Sequence, residues 1–215
     1  MMYPSPPGAC DGAKNDPVAP RRAAAAFAER GFGGVTMEEI AGRVGVTRLI
    51  LYRAFASKED LYRAILNDTA TRLTDAMTQA VALPAAPSGA ALRAYLEAAR
   101  WNPAAFMLLF TGAAESPLGI EIEAARRRVR EEIARQALVQ AAKEGITPDP
   151  FWSPLIAELT LAIVERGTQW WLDTAPSPAA DDAFVEYLQR GVSGMLSGIA
   201  AGHFHLRFPG ARARL

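Results

Sequence analysis

The sequence predicts an all-α protein in two parts, an N-terminal three-helix unit built on a helix-turn-helix and a larger helical body. Three observations predict it. Apolar residues recur at three- and four-residue intervals along most of the chain, no alternating stretch is bounded by hairpin turns, and residues 36–61 hold three helix-start signals around a single glycine turn. Half of the 215 residues are hydrophobic, enough to bury a substantial core in one or two compact domains.

The first helix is expected from residue 17 or 20 to residue 30, stopping at Gly31, with Phe27 as its main anchor beside the small Ala23, Ala24 and Ala26. Thr36 caps the second, where Glu39 at the third position completes a capping box and Ile40 and Val44 fall one turn apart on the buried face. Gly45 stands where the chain must turn left-handed, Val46 tucks in as an anchor, and Thr47 caps a third helix from Arg48 to about Ala54. So short a turn sets two helices at a steep angle, and the second then projects with its N-terminal residues able to enter a DNA major groove. Leu51 and Phe55 point inward by this spacing, whereas Arg48, Leu49, Ile50 and Tyr52 point outward, an odd set for a solvent face unless something docks there.

Ser57 caps a fourth helix running to about residue 83, where Pro84 and Pro87 end it, long enough to act as a lever between the two parts. Helices follow at 88–101, at 103–114 with Asn102 as cap, at 117–144 ending before Gly145, at 150–174 and at 181–201. Pro176 and Pro178 separate the last two, which then pack antiparallel. The expected domains are a disordered tail at 1–16, the helix-turn-helix unit at 17–60, the body at 61–203 and a second tail at 204–215.

Composition narrows the function. Lysine plus arginine and aspartate plus glutamate each total 23, which argues against wholesale coating of nucleic acid, yet residues 14–63 carry nine basic side chains against six acidic ones, a modest attraction to phosphate. Cys10 is the only cysteine, so neither an intrachain disulfide nor a cysteine metal cluster is expected. Residues 1–16 lack the basic and apolar regions of a secretory signal, and no apolar run reaches the length of a membrane span, which together lead to the expectation of a cytoplasmic protein without a membrane partner. A nucleophile motif, a glycine-rich phosphate loop and metal-ligand spacing are all missing, so no catalytic residue, metal site or cofactor is expected.

The runs Phe-Ala-Glu-Arg-Gly-Phe-Gly-Gly-Val-Thr from Phe27, Ile-Ala-Gly-Arg-Val-Gly-Val-Thr from Ile40 and Leu-Tyr-Arg-Ala-Phe-Ala-Ser-Lys-Glu-Asp-Leu from Leu51 resemble the TetR (tetracycline repressor) family of transcriptional regulators, over residues 20–66. The resemblance implies a DNA-binding N-terminal domain that acts as a dimer on a palindromic operator, and a ligand-binding and dimerisation body from which a small molecule triggers release. Position by position it implies phosphate contacts for Thr36, Thr47, Tyr52 and Lys58, and base-facing roles for Arg48, Leu49 and Ile50. Two positions depart from the family pattern. Leu49 stands where a small Gly or Pro is usual, and as a leucine it can only pack on a thymine methyl, favouring A·T pairs; Ala54 replaces a usual His and removes one phosphate contact.

In the body, Trp101, Phe106, Met107 and Phe110 gather around the Asn102–Pro103 break, and Trp152, Trp170 and Trp171 add bulk from another helix. These are either ordinary core or the lining of a pocket for a small apolar ligand, with Trp101, Phe106, Met107, Phe110, Trp152 and Trp170 as the candidate contacts. The last helix carries an apolar stripe of Phe184, Leu188, Val192, Met195 and Ile199 beside Gly191, Gly194 and Gly198. Each glycine costs about 1 kcal/mol against alanine inside a helix, so close approach by another helix is expected, within the chain or across a homodimer. The resemblance implies a four-helix bundle between subunits, with Leu161, Val164 and Gly167 facing Leu188, Gly191, Val192, Gly194, Met195 and Gly198 as interface candidates. Arg126, Arg127, Arg128 and Arg130 are expected on a solvated helix face. Two other functions stay open: a ligand-independent regulator working through a protein partner, and a helical enzyme using the aromatic cavity.

Overall fold

A computed structural model describes residues 19–82, 86–112, 118–143, 145, 153–174 and 177–200. Among these it holds nine α-helices, one 3-10 turn and no strand: α1 (Ala19–Arg30), α2 (Met37–Val44), α3 (Arg48–Ala54), α4 (Lys58–Val81), α5 (Ala90–Trp101), α6 (Pro103–Thr111), α7 (Gly119–Lys143), α8 (Ser153–Asp173), the turn Pro178–Ala180 and α9 (Asp181–Ala200). The expected tails, and Trp152, lie outside the described residues.

The head forms as its caps dictate. Thr36 Oγ1 accepts from the Glu39 N–H while the Glu39 carboxylate accepts from the Thr36 N–H at 2.8 Å, closing the capping box at the start of α2. Gly45 ends that helix at φ 85°, a left-handed conformation that side chains resist, and its N–H bonds back to Ala41 and Gly42 carbonyls. Thr47 Oγ1 then accepts from Ile50 N–H to start α3, and Ser57 Oγ from Asp60 N–H to start α4. Phe27, Ile40, Val44, Leu51, Leu61 and Ile65 close the core beneath these helices.

α4 passes unbroken through the boundary expected between residues 60 and 61. It buries Leu61, Tyr62, Ile65, Leu66, Thr69, Ala70, Leu73 and Met77, packing on α1 near its start and on α5, α6 and α7 beyond. The Asn102–Pro103 break is a cap: Asn102 Oδ1 accepts from Ala105 N–H at 3.2 Å, and proline at the first helical position needs no hydrogen-bond partner. α6 is thereby turned against α1, joining body to head. At the far side Trp171 stacks on Phe184 with centroids 4.2 Å apart, and Asp181 accepts from Arg100 Nε and Trp171 Nε1 at 2.5 and 2.7 Å, locking α5, α8 and α9 together.

The arginine run of α7 corrects its expected solvated role. Arg126 is nearly buried and donates to the carbonyls of Leu109 and Gly112, satisfying the C-terminal end of α6, while Arg130 forks onto Glu165 of α8. Arg127 and Arg128 do stay exposed, Arg127 paired with Glu131 one turn on and Arg128 donating to Asn67 Oδ1 of α4 at 3.0 Å.

Glu39 makes the head sensitive to acid. Hydrogen bonds from Arg30 first, then from the Thr36 backbone and side chain, hold its carboxyl down from 4.5 to about 2. A depressed folded pKa gives stability that is complete above pH 4.5 and lost as the pH falls towards 2. Thermal unfolding of the wild type and Glu39→Gln should therefore show an advantage for the wild type that shrinks through that window; a constant difference would show the capping carboxylate contributes nothing as an anion.

Candidate DNA-binding head and body cavity

α3 presents its N-terminal half outward. Arg48 and Leu49 are 63% and 61% exposed, Tyr52 is exposed beside them and Ile50 is half-buried, whereas Leu51 is buried beneath. The Arg48 guanidinium lies 5.2 Å above the Tyr52 ring and 3.8 Å from Glu38, contacts that orient it without burying it. Thr36 and Thr47 are exposed at the starts of α2 and α3 on either side of the glycine turn. These five side chains, with Ile50, thus share one end of the head, where two helix N-termini also favour phosphate. Lys58 is held differently: Nζ donates to the Val35 carbonyl at 3.0 Å and stands 4.6 Å from the Phe32 ring, so it ties the start of α4 to the loop before α2 and keeps two donors for other partners.

Neither described cavity is lined by the aromatics that gather at the Asn102–Pro103 break. Phe106 is fully buried, edge-on to Tyr95 at 5.9 Å and 4.7 Å from Phe110, and with Met107 it fills the joint where α6 packs on α1. Trp101 lies beneath Arg72 and Arg21, 4.1 and 5.7 Å from its ring, another contact between body and head. Trp170 points away, 60% exposed. α6 is apolar on nearly every face, so it needs neighbours on most sides.

A cavity of about 90 Å³ opens instead on the other side of Tyr95, between α4, α5, α7, α8 and α9. Met77, Val81, Leu92, Ile133, Val164 and Val192 wall it, and Tyr95 and Thr160 face it. At its rim Gln140 and Gln189 both donate to Ser88 Oγ, joining α7 and α9 to the turn before α5. Gly89 permits this: its φ is 81°, and a Cβ there would strike the Gln189 side chain. A wider cleft of about 420 Å³ lies under α3, lined by Pro20, Val44, Leu51, Phe55 and Ile65 among others, but none of its lining groups is a buried polar atom lacking a partner. The sequence did hold a signal for the body cavity. Thr160 interrupts the buried row Ile156, Val164 of α8, a polar residue in an apolar stripe.

The interface candidates divide. Leu161, Val164 and Leu188 are buried within the chain, and a Cβ on Gly167 would come within 3.1 Å of Leu188, so this glycine serves the α8–α9 contact inside one subunit. Val192 and Met195 pack partly on Ala141 and Ile156. Gly191 and Gly194 face open space, and Gly198 lies in α9 with its surroundings outside the described residues. Leu155, Leu159 and Trp170 of α8 and Tyr187 of α9 were not among the interface candidates, yet all are exposed, Tyr187 at 77%. Leu155 and Leu159 each stand one position before a buried residue of α8, Ile156 and Thr160, the start of a second apolar row that the sequence contained. No described helix is long and apolar enough to cross a membrane, and no cluster of three or more acidic, His or Cys residues able to hold a metal occurs among the described residues.

Comparison with known proteins agrees with this geometry. The model of the bacterial regulatory proteins of the tetR family matches residues 21–65, the head and the start of α4. The HTH-type transcriptional activator FasR of Mycolicibacterium smegmatis is 27% identical over 164 residues, 74% of this chain and 73% of its own. A TetR-like transcriptional regulator from Rhodococcus sp. RHA1 shares the fold with a TM-score of 0.66 at 19% identity, covering 92% of this chain and all of that one. AibR, solved with isovaleryl coenzyme A and operator DNA, superposes with a TM-score of 0.56 at 21% identity over 81% of this chain and 95% of its own. The capped helix-turn-helix at residues 21–65 thus matches the tetR family of bacterial regulatory proteins, and the all-α body shares its fold with solved TetR-like regulators.

Proposed function

We propose that the protein is a homodimeric regulator that binds a palindromic operator through α3 and answers to a small, largely apolar ligand held in the body. The observation that carries the DNA reading is the exposed end of the head, where Arg48, Leu49, Ile50 and Tyr52 project between the caps Thr36 and Thr47. Arg48 and Leu49 reach base edges, and Ile50 packs beside them. Thr36, Thr47, Tyr52 and one of the remaining donors of Lys58 take phosphates. The domains then divide at α4, with the head to residue 60 reading DNA and the body beyond it binding ligand and partner. Acting on operator DNA, the protein works in the cytoplasm.

The ligand reading is supported by the cavity beside Tyr95 and by the acyl group that AibR carries in its complex with operator DNA. Release by ligand makes the protein a repressor. A second reading is favoured by FasR, which is an activator: the same ligand switch then governs recruitment rather than blockage. Selecting bound fragments from genomic DNA and following a reporter from the selected promoter, with and without the head, separates the two readings by the sign of the change.

For the dimer, we assign the outer row of α8 and the outer face of α9, with Leu155, Leu159, Trp170 and Tyr187 joining Gly191, Gly194 and Gly198. Leu161, Val164, Gly167 and Leu188 support that face from beneath. Four exposed large apolar side chains on one pair of helices favour a protein partner, and a second copy supplies the same four by symmetry.

Arg48→Ala should weaken operator binding by about 1–3 kcal/mol while leaving thermal stability unchanged, because its exposed contacts add little to the fold. Leu49→Ala should relax the preference at one A·T pair; identical selected sites for the two proteins would remove the leucine from readout. Trp170→Asp with Tyr187→Asp should shift light scattering from dimer to monomer and abolish binding to sites whose halves lie roughly 34–36 Å apart. A dimer that persists in the double variant would place the interface elsewhere.

A further inference from the structure

We infer that the body cavity recognises a ligand with a short aliphatic portion and one neutral hydrogen-bond acceptor, a carbonyl oxygen received by the hydroxyls of Tyr95 and Thr160. This rests on the reading above that the body binds a ligand governing operator occupancy. Both side chains are almost completely buried, both face the same cavity, and neither hydroxyl has a hydrogen-bond partner. Buried polar groups are rarely left so, and two on one cavity wall mark the place of an absent partner.

Thr160 makes the case sharper. A helical threonine has an easy internal partner in the carbonyl four residues back, and Thr69 and Thr111 use theirs at 2.7 Å. Thr160 does not. Burial, and then the nearby Glu165 carboxylate, push the Tyr95 hydroxyl well above its usual range, so it stays a neutral donor. Two neutral O–H groups amid Met77, Val81, Leu92, Ile133, Val164 and Val192 call for an oxygen with two lone pairs on an apolar stem. A carboxylate fits badly, since the one cation among the described lining residues, Lys143, is exposed at the end of α7 and a charge within these walls would lose its hydration uncompensated. The remainder of a larger ligand would leave past Gln140, Gln189 and Ser88.

Tyr95 also connects the site to the head, because the same ring that bears the hydroxyl meets Phe106 of α6, the helix packed on α1. An acceptor on the hydroxyl fixes this ring, and the aromatic joint with it.

The test uses the full chain with pentane, methyl propyl ketone, methyl butyrate and pentanoate, measuring affinity by calorimetry and operator occupancy by anisotropy. The ketone and the ester should bind about tenfold more tightly than the alkane, and Tyr95→Phe and Thr160→Val should each erase that margin while leaving the alkane unaffected. Thr160→Ser, which keeps the hydroxyl, should preserve it. Without ligand, Tyr95→Phe and Thr160→Val should unfold at higher temperature than the wild type, since each removes an unsatisfied buried group. Lower unfolding temperatures, or a carboxylate or alkane that binds best, would overturn the inference, and so would a margin that survives both variants. If none of the four compounds binds or alters operator occupancy, the broader reading of a ligand-governed body fails with it; binding without acceptor preference would leave that reading standing and sink this one.

Discussion

One unbroken helix constrains everything else in this molecule. α4 contributes Leu61 and Ile65 to the core beneath α3, and sixteen residues later Met77 to the wall of the body cavity, about 24 Å away at the rise of an α-helix. Its buried positions alternate between neighbours without a gap, from Leu61 through Leu66, Ala70 and Leu73 to Met77. A helix buried along its length moves as a rod, because bending it would open the packed surfaces on both sides. Displacement at Met77 is therefore carried to Leu61.

Around that rod the head is held by local devices, each short in sequence. A capping box at Thr36 and Glu39, a left-handed glycine at position 45 and the caps at Thr47 and Ser57 fix the angles of α2, α3 and α4 before any long-range packing is counted. Each cap is worth about 1 kcal/mol. The result is a rigid end whose exposed side chains are free to meet DNA rather than to stabilise the fold, which is the division of labour a reading surface requires. The body is joined more loosely in sequence but firmly in space, through Arg126 on the end of α6, Arg130 on Glu165 and Arg100 on Asp181.

The head was legible because its signals are local. Thr36, Gly45, Thr47 and Ser57 act on residues within four positions of themselves, so their spacing alone predicts the helices that form. The exposed set on α3 followed from the same periodicity. Apart from Thr160, the cavity was not legible, because it is made where five helices meet, and the aromatic residues that looked like its lining serve other ends. Trp101 accepts two guanidinium groups from helices far off in sequence, Phe106 fills the joint to α1, and Trp170 faces outward. The basic run of α7 misled for a similar reason: Arg126 caps a helix that it reaches only after the fold is complete. Gly167 stood only as an interface candidate implied by the family resemblance, and the sequence did not say that the side chain approaching it is Leu188 of the same subunit.

The cavity and the proposed DNA-reading surface thus lie at two ends of one rigid element, with a second route through Tyr95, Phe106 and α6 to α1. In the proposed dimer a ligand need only prefer one placement of α4 to alter the spacing of the two heads, and a preference of about 3 kcal/mol would change operator affinity more than a hundredfold. The most direct measurement of this claim is the distance between spin labels at Ala56→Cys in the two subunits, in a Cys10→Ser background, with and without a ligand that releases DNA. Coupling through α4 predicts a distribution that moves away from the operator-bound distance when the ligand is added. Release of DNA with an unchanged distance would contradict it.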